Sequence, residues 1–201
     1  MKERKPKGEA RFKMIKERHK KSLLKAISES KADKQMISLT KYISKTKNYF
    51  TSSCCSGRIL LLNLDESETK RVGAFYRKWH SPTTFKEVWV ALNEKTKDNL
   101  WFKQEPFCLL AGANNLENAQ EFVKIARNSG IKRVGVIVLK EGKYLIELFG
   151  TSYLSVPVKK EDEILVEKEY LKYVVSLANK KLKKNFEALK KFERLLKKNI
   201  K

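Results

Sequence analysis

Val134-Gly135-Val136-Ile137-Val138-Leu139 and Tyr144-Leu145-Ile146-Glu147-Leu148-Phe149 flank a short connection, Lys140-Glu141-Gly142-Lys143. Apolar runs on either side of a Gly-containing turn read as a β-hairpin. A further strand is expected from Tyr153 to Val158. From Lys168 onward Leu171, Val174/Val175, Ala178, Leu182, Phe186, Leu189, Phe192 and Leu196 step at three or four residues, one helix of roughly 45 Å. Strands joined by hairpins and set apart from terminal helices predict an α+β fold: a mixed, largely antiparallel sheet with flanking helices and a long C-terminal helix. A doubly wound Rossmann arrangement is not expected.

Upstream of the hairpin, Asn115 is placed to cap a helix from Leu116 to Ser129, and Gly130 stands where a left-handed C-cap is wanted. Leu100 to Phe102 and Phe107 to Ala111 read as extended, with Pro106 at a strand start or edge. Thr84 followed by Glu87 is a capping box for a helix whose apolar face is Phe85, Val88, Trp89 and Leu92. It comes after Ser81-Pro82 and a short segment containing Trp79-His80, which follows a polar turn at Asp65 to Thr69. A strand is expected from Ile59 to Leu64. The segment before it, Tyr49 to Arg58, is rich in Ser and Cys and closes on Gly57, and it reads as a turn or loop. Helical periods cover Lys34 to Lys45 and, with a thinner apolar face, Arg11 to Ile27. The expected organisation is one domain: a basic helical extension over 1–33, an α+β body over 34–167 and a basic helix over 168–201.

The chain of 201 residues carries 45 Lys and Arg against 23 Asp and Glu, a net charge of +22. Residues 1–47 contribute +11 and residues 168–201 contribute +9, which leaves +2 for the 120 residues between them. Such ends self-repel unless a polyanion neutralises them, so nucleic acid is the first partner to consider; solvated Lys-rich helices are the alternative reading. No apolar run is long enough to span a bilayer and Met1 to Lys5 does not open a signal peptide, so a cytoplasmic protein is expected. Three Cys, two of them adjacent, make neither a disulfide framework nor a metal knuckle. His19 and His80 are the only histidines and no carboxylate is grouped with them at ligand spacing, so no metal is expected. Glycine-rich phosphate and dinucleotide fingerprints are absent as well.

The chemically dense stretch is Ser53-Cys54-Cys55-Ser56-Gly57-Arg58. Hydroxyls and backbone N–H groups around a Gly can cradle an anion, and an Arg at the strand opening can clamp a carboxylate or phosphate. The same composition also suits a turn that packs small side chains under a helix. Phe50-Thr51-Ser52-Ser53-Cys54-Cys55-Ser56-Gly57-Arg58-Ile59 resembles the signature of the tRNA wybutosine-synthesizing methyltransferase family, which reads Thr-Thr-Ser-Ser-Cys-Ser-Gly-Arg. The likeness continues through Trp79-His80, Glu105-Pro106-Phe107, Ala119 to Gly130, Tyr144 to Pro157 and Ala178-Asn179-Lys180 with Asn185. It runs from about residue 34 to the C-terminus. Cys54 departs from it by standing where the family has Ser, and Gly150-Thr151-Ser152 lacks an Arg that some relatives carry.

The resemblance implies methylation of a ring nitrogen of a tricyclic aminocarboxypropyl guanosine derivative 3′ of the anticodon in tRNA(Phe), with S-adenosylmethionine as cofactor and the anticodon stem-loop as partner. On chemical grounds Ser53, Ser56, Gly57 and Arg58 are assigned to the cofactor, Cys55, Thr151 and Asn179 to the substrate, and His80 to proton removal, since histidine titrates near neutrality. Two other classes stay open at this level: a non-catalytic RNA-binding protein, and a Cys-dependent transferase or hydrolase built on Cys55 and His80.

Overall fold

A computed structural model of the chain describes residues 7–65, 67, 74–96 and 99–200. In chain order its elements are α1 (Lys7–Ser28), α2 (Lys34–Lys45), β1 (Tyr49–Cys55), β2 (Arg58–Leu64), β3 (Phe75–Trp79), α3 (Phe85–Leu92), β4 (Asn99–Glu105), β5 (Cys108–Ala113), α4 (Leu116–Asn128), β6 (Arg133–Lys140), β7 (Lys143–Phe149), β8 (Leu154–Lys160), β9 (Glu163–Ile164) and α5 (Lys168–Asn199). Among the described residues every strand pair is antiparallel. The class is α+β, as expected, and the strands form two sheets. The chain groups into two compact units, one built from residues up to Ser56, Phe107–Gly150 and Phe186 onward, the other from Gly57–Pro106 and Thr151–Asn185. No described helix is long and apolar enough to cross a membrane.

The first unit holds the sheet β1-β5-β7-β6. One face carries Tyr49, Leu109, Ala111, Ala113, Ile146 and Leu148, packed with Met36, Leu39 and Ile43 of α2, Phe122 and Ile125 of α4, and Leu189, Phe192 and Leu196 of α5. The opposite face is covered by α1, whose Phe12 and Ile15 meet Phe50 and Leu145. Adjacent Tyr49 and Phe50 thus point into different cores, as strand alternation requires. Phe50 faces Gly112 across the β1–β5 ladder. A Cβ on Gly112 would lie 2.1 Å from the Phe50 ring, so only glycine lets that ring lie flat on the strand.

The second unit holds the sheet β3-β2-β4-β8-β9. Its β2 is an interior strand between β3 and β4, and Ile59, Leu60 and Leu61 are fully buried, which accounts for an unbroken apolar run in the sequence. The capping box at Thr84 is formed: its side chain accepts from the Glu87 N–H and the Glu87 carboxylate accepts from the Thr84 N–H. Buried Val88 and Leu92 of α3 and Leu171, Val174, Val175, Ala178 and Leu182 of α5 supply its helical apolar faces.

Most expected elements are present within a few residues of their bounds, including the Asn115 cap, which accepts from the Asn118 N–H, and Gly130 at φ 97°. Three differences have physical causes. The expected loop from Tyr49 is the strand β1, because pairing with β5 satisfies backbone groups whose side chains carry little strand preference, and a register shift between Thr51 and Ser53 marks the weak point. Phe75–Trp79 forms the edge strand β3, with only one ladder and mostly exposed side chains, so it lacks the apolar alternation that announces a strand. The strand expected last, β8, is followed by the two-residue β9. The polar turn expected over 65–69 lies partly outside the described residues.

Gly112→Ala should destabilise the protein by about 1–3 kcal/mol through overpacking against Phe50. In a Phe50→Leu background the same change should cost less, and a double-mutant cycle by denaturant unfolding measures the coupling.

Candidate functional site

In the first unit the motif residues lie at the end of β1. Ser53 is exposed, Cys54 and Cys55 are half-buried and Ser56 is fully buried. Cys55 is opposite Cys108 on β5. The Ser56 N–H and hydroxyl both donate to one carboxylate oxygen of Asp33, at 2.7 and 3.2 Å. Asp33 precedes α2 at its N-cap yet makes no side-chain cap bond, because its carboxylate reaches the motif instead. The Ser56 cradle therefore does hold an anion, one supplied by its own chain. Burial, then the charge of Asp33 and the neighbouring Cys108 and Cys55, push the Cys54 thiol up to about 12, so this cysteine stays protonated at neutral pH.

Gly57, at φ 92°, takes the left-handed turn that leads into β2. In the second unit, strand topology gathers Arg58, His80 and Thr151. Arg58 opens β2 opposite Glu105 at the end of β4, and Ile59 faces Trp79, so the register carries His80 past the end of β3 beside Arg58. On the other side of β4, Gln104 faces Leu154, which puts exposed Thr151 just before β8 at this same end of the sheet. The Arg58 Nε donates to Glu105 at 2.6 Å, and its guanidinium lies 4.6 Å from the centre of the Phe75 ring. The expected carboxylate clamp is thus formed with an internal carboxylate. His80 is half-buried.

Asn179, on α5, is not at the strand ends. Its amide oxygen accepts from the Thr83 N–H at 2.9 Å and its amide nitrogen donates to the Thr83 carbonyl at 2.7 Å. It clasps to α5 the segment that begins at His80. Asn185, six residues on, is buried, and its Nδ2 has no hydrogen-bond partner among the described residues.

The first unit also contains a cleft of about 310 Å³ between α1 and β1, lined by His19, Ser22, Asp33, Ser52, Ser53 and Cys54 among others. His19 stacks on Phe50 with ring centres 5.2 Å apart and an interplanar angle of 3°. Burial, with Arg18 and Lys143 nearby, lowers its pKa below the ordinary histidine value. Sequence reasoning left His19 without a role; the only local signal was a histidine on an otherwise basic helix. Asp33 and Glu105 were likewise missed as partners, since each acts on a motif residue 23 or 47 positions away.

A family model described as Methyltransferase TYW3 matches residues 10–198, so the likeness read from residue 34 onward extends back through most of α1. A tRNA(Phe) 7-((3-amino-3-carboxypropyl)-4-demethylwyosine(37)-N(4))-methyltransferase 2 of Pyrococcus abyssi is 35% identical over 84% of this chain and 86% of its own. The corresponding methyltransferase of Thermococcus sibiricus is 31% identical over 92% and 94%. Among solved structures, the PH1069 protein of Pyrococcus horikoshii superposes with a TM-score of 0.86 at 31% identity, covering 92% of this chain and 93% of that one. A hypothetical protein from Aeropyrum pernix gives 0.70 at 25% identity, covering 81% and 96%.

Because the fold holds His19 neutral more strongly than the unfolded chain does, the folded state takes up its proton at lower pH. Stability should be complete above the unfolded pKa of about 6.5 and fall as pH drops below it, levelling once the folded pKa is passed. His19→Phe, which keeps a ring on Phe50, should remove that part of the decline as pH falls below about 6.5 in urea titrations. Identical pH dependence in both proteins would show that burial does not shift this histidine.

Proposed function

Since this chain belongs to the Methyltransferase TYW3 family, we propose that it methylates N(4) of 7-(3-amino-3-carboxypropyl)-4-demethylwyosine at position 37 of tRNA(Phe), in the cytoplasm, with S-adenosylmethionine as donor. The observation that carries the reading is the convergence of Arg58, His80 and Thr151 at one end of the five-stranded sheet, from parts of the sequence far apart. A carboxylate binder, an imidazole and a hydroxyl in one place suit an aminocarboxypropyl base that must lose a ring proton.

The donor set fits the cofactor's amino acid end, because the half-buried Arg58 binds a carboxylate in the structure, while Ser56, buried with its N–H and hydroxyl on Asp33, braces the motif beneath it. S-adenosylmethionine supplies an electrophilic methyl group on a sulfonium centre. The segment Ser53 to Arg58 would hold the donor: Ser53 offers an exposed hydroxyl, Gly57 sets the turn, and the Arg58 fork keeps Nε on Glu105 while its terminal nitrogens take a carboxylate. His80 accepts the proton that the ring nitrogen loses as it gains the methyl group. Thr151 is assigned to a polar edge of the base. Asn179 acts on the substrate indirectly, by fixing the backbone at Thr83 and with it the position of His80. An anticodon-loop base is unpaired and can be splayed out into such a site.

Incubation with S-adenosylmethionine and tRNA(Phe) bearing the unmethylated tricyclic base should yield the methylated nucleoside by mass spectrometry; no product would defeat the proposal. In single-turnover assays His80→Ala should slow methyl transfer by roughly a hundredfold or more with donor and tRNA binding retained. Arg58→Ala should weaken donor binding by about 1.5–3 kcal/mol in calorimetry.

A further inference from the structure

Within the second unit, the outer face of α5 carries an excess of positive charge. Lys180 and Lys183 are exposed, stand one helical turn apart, and have no carboxylate partner among the described residues. Lys172, on the same face, is 3.1 Å from Glu169 and 5.4 Å from the centre of the Phe85 ring. These lysines line a groove of about 550 Å³ whose other wall is Thr83 and Phe85. The Glu87 carboxylate is turned to the capping box and the Thr83 hydroxyl, and among the described residues it forms no ion pair with these lysines. Tyr173 is 66% exposed on the same stretch of helix.

Ammonium groups at helical spacing repel one another, and a chain of phosphates is the ligand that removes the repulsion at every step. An exposed aromatic face among them is what an unpaired base stacks on, whereas a purely electrostatic surface has no use for it. The wall of the groove is also the segment that starts at His80, held to α5 by Asn179. A strand of RNA lying here has a neighbouring nucleotide close, along the chain of this segment, to the proposed proton acceptor.

We propose that Lys172, Tyr173, Ser176, Lys180 and Lys183 form an RNA-binding face on which phosphates flanking an unpaired loop contact the lysines and one loop base stacks on Tyr173. The choice of a stem-loop rests on the tRNA reading above; the charge and the exposed ring do not.

The test is fluorescence anisotropy with a labelled tRNA(Phe) anticodon stem-loop over a range of salt concentrations. Lys180→Glu with Lys183→Glu should lower affinity at least tenfold and flatten the log–log salt slope by about 0.7 to 0.9 for each phosphate that is no longer neutralised. Tyr173→Ala should lower affinity roughly five- to a hundredfold with little change in slope. The control is the pair Lys124→Glu with Arg127→Glu on α4, exposed residues that line a separate groove of the first unit and give an equal change of charge. Circular dichroism and donor binding monitor the fold of each variant. Affinity matching the control pair would overturn the face while leaving the methyltransferase reading intact. Equal wild-type affinity for anionic vesicles or a DNA duplex would overturn RNA as its partner. A Lys180/Lys183-dependent affinity in a protein that methylates no tRNA would support the face and defeat the enzymatic reading.

Discussion

The ring of Phe50 lies against the backbone of Gly112, and much of the first unit follows from that contact. A side chain on the β5 residue would lift the ring, and with it the strand β1 that carries the Ser/Cys motif. With no side chain there, the ring is flush enough for Phe12 to tilt against it at 5.8 Å and His19 to stack on it at 5.2 Å. A helix thinly supplied with apolar residues is thereby seated on the sheet. The basic N-terminal helix has a second attachment at Lys16, whose ammonium donates to the carbonyls of Thr46 and Lys47 just before β1. Burial lowers the pKa of that lysine, so it is a partly desolvated anchor rather than one more surface charge.

Carboxylates are the scarce charge in this chain, and two of them are committed to the motif. Asp33 forgoes its local bond at the head of α2 to satisfy Ser56, whose buried N–H and hydroxyl would otherwise cost about 1–3 kcal/mol. Glu105 orients Arg58 as Phe75 supports its flat face. A guanidinium held on one edge and one face has given up most of its rotamer freedom, which lowers the entropy cost when a further anion binds.

The readable parts of the sequence are those in which local chemistry decides. Thr84 and Glu87 announce a helix start because both halves of the box lie within one turn, and the apolar spacing after Lys168 needs no partner to be seen. β1 is hidden because Ser and Cys reveal nothing about the β5 backbone that pairs with them, and β3 because an edge strand needs little apolar content. The motif is legible as an anion binder, and that chemistry is present in the fold, but the identity of the anions is not legible: Asp33 and Glu105 reach Ser56 and Arg58 only through the folded topology. The same holds for His19, whose stacking depends on Phe50, 31 positions away, and for Asn179, whose hydrogen bonds are to backbone atoms that a side-chain pattern cannot display.

The first unit's core is closed by Leu189, Phe192, Leu196 and Ile200, and the Tyr42 hydroxyl donates to the carbonyl of Ile200. In sequence these residues come long after α2 and β1, which they cover. The apolar face of the β1-β5-β7-β6 sheet therefore stays open during folding until the far end of α5 docks on it, a closure of large sequence separation. Undocking of the last turns of α5 uncovers Phe122 and its neighbours, a state suited to capture by chaperones and proteases.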